Sequence, residues 1–173
     1  ILLIFSSSDK AYGSLIGKSY LESHQLKGKY PYDVSKSASD LIVQSYVKTY
    51  NLKAGIIRSG NIYGPGDLNM DRLVPHVIIS LLNNNRPILR SNGKLIRDYI
   101  YVEDVANAYI SLMKKMLKSK NRLRIYNVGS KENLTVNNLV NLITKLSSIK
   151  KIKPIIKNSS KIEIYKQKLD YNK

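Results

Sequence analysis

The chain has 173 residues, of which 43% are hydrophobic and 24% are charged, and its formal net charge is +17. This length and composition suit one globular domain, and the absence of cysteine excludes disulfides, thiolate metal sites and a cysteine nucleophile. With only two histidines and no apolar run that approaches a bilayer-spanning length, we predict a cytoplasmic protein without a metal site or membrane contact.

The first half of the chain predicts a strand, a loop, a helix and a second strand. The apolar run Ile1–Phe5 is typical of a buried strand and ends in small polar residues. Residues 14–30 are polar with scattered glycines, which indicates a loop. From Val34 onward, apolar residues recur at helical spacing over about four turns. Ala54–Arg58 then predicts a short strand, and the glycines within 60–66 mark a tight loop.

The second half predicts three more helices and further strands. Apolar stripes at helical spacing predict helices at residues 73–82, 105–116 and 136–146. Asn92-Gly93 lies between the segments Ile88–Arg90 and Leu95–Tyr101, which predicts a β-hairpin. Ile125–Val128 predicts another strand. Strands that alternate with helices indicate the α/β class.

Tyr32 and Lys36 lie four residues apart, and therefore on one face of the first predicted helix. An ordinary tyrosine, with a pKa of about 10, is a poor base at neutral pH, and a neighbouring ammonium lowers such a pKa. Pairs at this spacing also arise by chance in a chain with 13 tyrosines. Ser8 strengthens the interpretation because it follows a buried strand, where α/β proteins place their chemistry. The three residues together predict a group that deprotonates a hydroxyl.

Four segments of the chain carry whole motifs rather than isolated residues. They are Ser7–Gly13, Pro31–Lys36, Arg58–Asp67 and Arg97–Ala106. In this order they resemble the motifs of extended short-chain dehydrogenases, the NAD-dependent epimerases and dehydratases that act on nucleotide sugars. The first resembles the serine/threonine segment of that family and the second its Tyr-x-x-x-Lys motif. The third resembles the loop that meets nicotinamide and substrate, and the fourth resembles the substrate-domain signature.

The resemblance implies an α/β fold, with the C-terminal part of a Rossmann-type doubly wound parallel sheet and a small mixed α/β substrate-binding region. Residues 1–66 would form the Rossmann-type part with the catalytic motifs. Residues 67–173 would mainly bind substrate, with 88–128 interleaved between the two. The resemblance also implies NAD as cofactor, a nucleotide-diphosphate sugar as substrate, and a homodimer in the complete protein through helices that include the one starting at Tyr32.

The resemblance further assigns roles to individual residues. The residues implied in catalysis are Ser8, Asp9, Lys10, Tyr32 and Lys36. The residues implied in cofactor binding are Ser6, Ser7, Tyr32, Lys36 and Ser59. Asn61, Arg72 and Arg97 match positions that hold the nucleotide diphosphate, for which the planar fork of arginine is suited. A surface charge at Arg72 and an ion pair of Arg97 with a neighbouring carboxylate are the alternatives.

Asp9-Lys10 favours the CDP-glucose 4,6-dehydratase-like branch of the family. Dehydratases of dTDP-glucose carry Asp-Glu there, with the aspartate as acid and the glutamate as base of the elimination, whereas epimerases usually lack the acid. The predicted function is therefore NAD-dependent dehydration of a nucleotide-activated hexose to a 4-keto-6-deoxy sugar. Lys10 could be the base only if desolvation or a neighbouring cation lowers its pKa. The alternative for Lys10 is a solvent-facing or carboxylate-paired lysine. A C4 or C5 epimerase, in which Asp9 is not used as an acid, also stays open.

The glycine-rich strand–turn–helix through which the family binds NAD does not occur in this sequence. None of the nine glycines forms G-x-x-G-x-x-G, and the acidic residue that would hold the adenosine ribose is missing as well. The chain resembles a family member that is entered at a late strand and that stops before a final helix. We expect residues 1–173 alone to bind NAD weakly or not at all. An inactive fragment, or a remnant that pairs with a separate Rossmann half, is a further alternative.

The positive charge is concentrated in the C-terminal third, away from the four motifs. Residues 114–173 hold 16 Lys and Arg against 3 Asp and Glu. The aromatic residues of that segment are Tyr126, Tyr165 and Tyr171, too few for a base-stacking platform. We therefore interpret the charge as a solvated surface and predict no nucleic-acid partner, which leaves a nucleic-acid-binding module as the weakest alternative.

Overall fold

The structure is a computed structural model that describes residues 1–15, 18–130, 132–147, 152–159 and 164–171. Strands and helices alternate along it, which confirms the α/β class. The strands are β1 (Leu2–Ser8), β2 (Lys53–Ser59), β3 (Asn61–Tyr63), β4 (Ile88–Leu89), β5 (Ile96–Tyr101), β6 (Leu123–Val128), β7 (Asn133–Thr135) and β8 (Ile155–Ile156). The helices are α1 (Pro31–Tyr50), α2 (Leu73–Leu82), α3 (Val102–Lys118) and α4 (Val136–Leu146), and a short 3-10 turn covers Asp9–Tyr12.

The principal sheet is parallel and has the strand order β1-β2-β6. Successive residues of β2 point to opposite faces, so Ile56 packs with Val43 of α1 while Ile57 packs with Leu112 of α3. Helices therefore cover both faces, as expected for a doubly wound sheet whose strands are continuously apolar. This arrangement brings the carboxyl ends of β1 and β2 side by side, with Ser8 opposite Ser59.

A second group of elements packs beside this sheet. β5 pairs in parallel with β3 and antiparallel with β7. Helices α2 and α4 share a core in which Val77 and Leu81 contact Val136 and Val140. In sequence, α3 and β6 lie within the range 88–128, yet they complete the principal sheet. The division of the chain into a Rossmann-type part and a substrate-binding region stays a prediction.

The predicted hairpin around Asn92-Gly93 is wrong. β4 pairs with β8 rather than with β5, and the partners of β5 are β3 and β7. The turn itself exists, since Gly93 has a φ of +79°. Its carbonyl, however, accepts the N–H of Asn137, and the Leu95 carbonyl accepts that of Val136. The chain is thus held against the start of α4, and a local turn signal does not determine which strands pair.

Helix α1 buries a mainly polar face and exposes an apolar one. Pro31 occupies its first turn, where proline is tolerated. Its buried residues are Asp33, Ser37, Asp40 and Val43. Its exposed large apolar side chains are Tyr32, Val34, Leu41, Ile42, Tyr46 and Tyr50. The apolar stripe that predicts the helix therefore faces outward. Among the described residues, no helix, including α1, has the length and apolarity needed to cross a membrane.

A buried ion pair links α1 to the middle of the sheet. Arg58 of β2 and Asp40 of α1 are 1% and 0% exposed. The guanidinium grips the carboxylate with two hydrogen bonds, Nε to Oδ2 at 2.9 Å and Nη2 to Oδ1 at 3.0 Å. Burial alone would raise the pKa of Asp40, but hydrogen bonds from Arg58 and Ser7 outweigh it and hold this pKa below its ordinary value.

Candidate active site

One cleft of about 1070 Å³ lies at the carboxyl ends of β1 and β2. All the site residues implied by the sequence line it, namely Ser6, Ser7, Ser8, Asp9, Lys10, Tyr32, Lys36, Ser59, Asn61, Arg72 and Arg97. This is where an open α/β sheet presents its loops and strand ends to ligands. The structure therefore brings the predicted residues together, although they are spread from Ser6 to Arg97 in the sequence.

Ser8 and Asp9 form a hydrogen-bonded unit at the end of β1. The Ser8 hydroxyl donates to Asp9 Oδ1 at 3.2 Å and accepts from the backbone N–H of Lys10 at 3.2 Å. Asp9 is 2% exposed, and its Oδ2 has no hydrogen-bond partner among the described residues. Burial raises the pKa of Asp9 to about 6, against the opposing effect of the Lys10 charge. About one tenth of Asp9 would therefore be protonated at pH 7, far more than of an ordinary aspartate, and this population can act as a proton donor.

Tyr32 and Lys36 lie in the first turns of α1, at the rim of the same cleft. The Lys36 ammonium is 5.9 Å from the centre of the Tyr32 ring, so the predicted proximity of the two groups is present. The Tyr32 side chain is 56% exposed and therefore open to a ligand. The Ser35 hydroxyl donates to the Tyr32 carbonyl at 2.7 Å, which strengthens this first turn.

The serines implied in cofactor binding differ in what their hydroxyls can reach. Ser7 is buried, and its hydroxyl donates to Asp40 Oδ2 at 2.6 Å, so this group is directed toward the core. Ser59, at the end of β2, is 4% exposed. Ser6 is exposed at the cleft wall. Sequence reasoning missed the engagement of Ser7 because Asp40 is 33 residues away and lies in no recognised motif.

The three residues implied in diphosphate binding lie along the other wall of the cleft. Arg97 is 6% exposed, and its Nη1 donates to the carbonyls of Ile96 at 2.9 Å and Tyr165 at 3.4 Å. Arg72 has an exposed side chain whose guanidinium forms an ion pair with the Asp67 carboxylate at 3.2 Å. It would have to exchange this partner to bind phosphate. Asn61 Nδ2 donates to the carbonyl of Asp98 at 3.3 Å.

Other polar residues line the cleft without any signal in the sequence. His76 of α2 accepts the backbone N–H of Ile88 at its Nε2 at 3.0 Å, which fixes the ring beside the cleft. Arg90, which pairs with Asp71, and Lys157 add positive charge to the same wall. These residues lie outside the four motifs, and only the packing of α2 and β8 brings them to the cleft.

The described residues fit one end of an NAD molecule better than the other. Tyr32, Lys36 and Ser8 share a cleft large enough for a nicotinamide ring beside a sugar, so they are side chains that could meet the reacting end of the cofactor. The given sequence contains no glycine-rich turn for the pyrophosphate.

The buried Asp9 predicts an unusual pH dependence of stability. Because its pKa is about 6 in the folded chain and 3.8 ordinarily, the folded chain binds this proton more tightly than the unfolded chain. The resulting stabilisation is present below about pH 4 and is lost as the pH rises through 6. We expect the advantage of Asp9→Asn over the native chain to grow by about 3 kcal/mol between about pH 4 and pH 8. Urea unfolding at both pH values measures it.

Glu132→Gln, which neutralises an exposed carboxylate, is the control and should show almost no such difference. An Asp9→Asn advantage that is equal at both pH values would contradict the raised pKa of Asp9.

Comparison with known proteins places this cleft in a family. Residues 1–129 match the model of the NAD dependent epimerase/dehydratase family. The chain is 31% identical over 143 residues to human dTDP-D-glucose 4,6-dehydratase, covering 83% of this chain and 39% of that protein. It is 32% identical over 138 residues to the enzyme of that name from Dictyostelium discoideum, covering 73% and 31%. The chain thus spans less than half the length of these curated relatives.

Solved structures show the same fold. The UDP-glucose 4-epimerase of Thermotoga maritima, solved with UDP-glucose, superposes with a TM-score of 0.87 at 26% identity, covering 99% of this chain and 55% of that one. The dTDP-glucose 4,6-dehydratase of Bacillus anthracis, in complex with NAD, superposes with a TM-score of 0.85 at 25% identity, covering 98% and 52%. The expected nearness to the CDP-glucose branch stays a prediction. The chain belongs to the NAD-dependent epimerase/dehydratase family of nucleotide-sugar enzymes.

Proposed function

We propose that the complete protein containing this chain is a 4,6-dehydratase that converts a nucleotide-activated hexose to its 4-keto-6-deoxy form. The observation that carries this proposal is the buried Asp9, which lies in the cleft beside Ser8 and has a pKa of about 6. An oxidation at C4 needs no such acid, whereas the loss of a hydroxyl as water does. The similarity to dTDP-glucose 4,6-dehydratases supports the same choice.

The oxidation at C4 would use Tyr32, Lys36 and Ser8. Tyr32, beside the Lys36 ammonium, would be the base that accepts the proton of the C4 hydroxyl. The Ser8 hydroxyl, which donates to Asp9 in this structure, would exchange that partner and donate a hydrogen bond to the same sugar oxygen. NAD, when bound, supplies the hydride acceptor for C4 and later the hydride donor for C6. Holding the sugar oxygen between two fixed groups also orients the carbon that reacts.

The elimination would use Asp9 and Lys10. The ketone at C4 makes the C5 proton acidic, and Lys10 would be the group that accepts it. Protonated Asp9 would transfer its proton to the C6 hydroxyl as the C6–O bond breaks, which releases water and leaves a C5–C6 double bond. Lys10 would return the proton to C5, and NAD, when bound, would supply the hydride for C6. Asp9 Oδ2 has no hydrogen-bond partner among the described residues, so no protein acceptor competes for a proton on this oxygen.

The substrate would be held by its diphosphate along the opposite wall. The Arg97 guanidinium is pre-oriented by backbone carbonyls, and Arg72 would exchange Asp67 for phosphate oxygens. Asn61 lines the same cleft as the two arginines. Two arginines in one cleft suit a diphosphate, since each can grip two oxygens.

The dehydration predicts that Asp9→Asn separates oxidation from elimination in the complete protein. We expect this variant to form NADH with a nucleotide hexose in a single turnover, because Tyr32, Lys36 and Ser8 are intact. Its release of 4-keto-6-deoxy product should fall by about a hundredfold or more, since the general acid is lost. NADH absorbance measures the first step and NMR of the sugar measures the second. Glu132→Gln is the control, and full dehydration by Asp9→Asn would exclude Asp9 as the acid.

A second candidate function is a nucleotide-sugar epimerase, which the absence of a carboxylate base after Asp9 favours. Lys10 lines the cleft beside Asp9, at the position where the resemblance places the glutamate base of dTDP-glucose dehydratases. We expect Lys10→Met to lower the dehydration rate by about a hundredfold and Lys10→Glu to retain or exceed it, because glutamate supplies a base. Product NMR distinguishes the two functions. An unchanged 4-epimer product in both variants would support the epimerase and contradict Lys10 as a base.

The exposed apolar face of α1 is the basis for proposing a homodimer. Leu41, Ile42 and Tyr46 are each at least half exposed, which is unfavourable unless a second copy covers them. We expect Ile42→Glu in the complete protein to shift its mass from dimer to monomer in light scattering, because a buried interface would then contain an unpaired charge. Leu142→Glu, at an exposed apolar position of α4, is the matched control. An unchanged mass for Ile42→Glu would contradict this interface.

A further inference from the structure

Directed polar contacts hold α1 on the sheet in addition to the apolar packing of Val43. Three of its four buried residues, Asp33, Ser37 and Asp40, are polar. The Ser37 hydroxyl donates to the carbonyl of Ala11 at 2.8 Å. Apolar contacts are non-directional, whereas hydrogen bonds constrain both distance and angle. The axial position of this helix therefore depends on a few directed bonds.

Asp40 makes the most connected of these bonds. One carboxylate oxygen, Oδ2, accepts from Ser7 at 2.6 Å and from Arg58 Nε at 2.9 Å. The other, Oδ1, accepts from Arg58 Nη2 at 3.0 Å and from Gln44 Nε2 at 2.7 Å. One group thus joins the carboxyl ends of β1 and β2 to the interior face of α1. The strand residue that it holds, Ser7, directly precedes Ser8.

The same carboxylate lies on the helix that carries the proposed base. Asp40 is eight residues beyond Tyr32, which corresponds to about 12 Å along the helix axis. A displacement of α1 along the sheet would move Tyr32 and Lys36 together, because both lie on the helix. It would change their position relative to Ser8, which lies on the strand. The link from Ser7 to Asp40 is the direct hydrogen-bonded connection between that strand end and this helix.

On the basis of the proposed oxidation at C4, we propose that Asp40 is a positioning residue. Through Ser7 and Arg58, it fixes the position of the Tyr32 phenol relative to the Ser8 hydroxyl. The stability of the fold does not by itself require an ion pair here, because apolar residues of similar size are often equally stabilising at such sites. The ion pair matters instead for the position of Tyr32 relative to Ser8, since a misplacement of reacting groups by about 1 Å can cost up to a hundredfold in rate.

The test measures NADH formation in a single turnover by the complete, NAD-bound protein, together with the affinity for a nucleotide hexose. We expect Ser7→Ala and Asp40→Asn each to lower the rate about tenfold, with the substrate dissociation constant unchanged within about twofold. The double variant should be no slower than Asp40→Asn, because Ser7 acts through Asp40. Gln44→Ala, which removes a partner of Asp40 without touching β1, is the matched control and should change the rate less than about twofold.

Several results would overturn the positioning role. One is an unchanged rate in Ser7→Ala, which is the smallest change and does not depend on the folding of Asp40→Asn. Another is a loss of NAD or substrate affinity alone, or losses that multiply in the double variant, since Ser7 would then act on a ligand independently of Asp40. NADH formation is common to dehydratases and epimerases, so the dehydration can fail while this proposal holds. If the native protein forms no NADH, the proposed oxidation at C4 is wrong, and the role of Asp40, which rests on it, is rejected as well.

Discussion

Arg58 and Asp40 meet between β2 and α1, where neither charge reaches water. Removing one partner of such a pair leaves an uncompensated buried charge and typically costs about 3–5 kcal/mol. Arg58 also donates to the Tyr12 hydroxyl at 2.9 Å and to the carbonyl of Glu22 at 3.0 Å. Tyr12 in turn donates to Asn127 of β6 at 2.7 Å. The strands of the principal sheet, the helix with the Tyr-x-x-x-Lys motif and the loop before it are therefore tied together beneath the cleft.

At the end of β1, the burial of Asp9 has two opposing effects, on stability and on proton donation. A carboxylate next to the last strand residue is costly when it is buried, and the pKa of Asp9 is raised to about 6 for that reason. A group with these properties lowers stability at neutral pH and is suited to donate a proton in a cleft. Perturbed carboxyl groups of this kind concentrate at functional sites, although structural networks produce them too. Asp9 lines the cleft with Ser8 and Lys10, and this position is the reason for proposing it as a proton donor.

Much of this organisation could be predicted from the sequence, and the reasons for the exceptions are physical. Periodicity predicts α1, since its apolar residues recur at helical spacing, but it does not tell which face has a partner, and the stripe faces outward. The Asn92-Gly93 signal correctly indicates a turn, but strand pairing depends on distant segments. The ion pair of Arg58 and Asp40 joins a strand to a helix 18 residues earlier, and no local pattern reports such a contact.

The candidate site was predicted more completely than the fold because its residues lie in motifs. The strand end predicts Ser8, and helical spacing predicts that Tyr32 and Lys36 lie together. Arg90 and Lys157 also line the cleft, but only tertiary packing brings them there. Gly129 is a further case. The sequence indicates only that Gly129 ends β6, but a side chain there would overlap the Asp98 carboxylate, which accepts the N–H of Ser130 at 2.7 Å. This lack of space for a side chain is clear only when β5 and β6 are seen together.

The most direct test of the account follows the hydrogen on C4 of the sugar. The complete, NAD-bound protein would be mixed with a nucleotide hexose that carries deuterium at C4, and the product would be examined by NMR. A dehydratase built on Tyr32, Lys36, Ser8 and Asp9 predicts a 4-keto-6-deoxy product with the deuterium at C6. Recovery of deuterium only at C4, in substrate or in a 4-epimer, would contradict the dehydration.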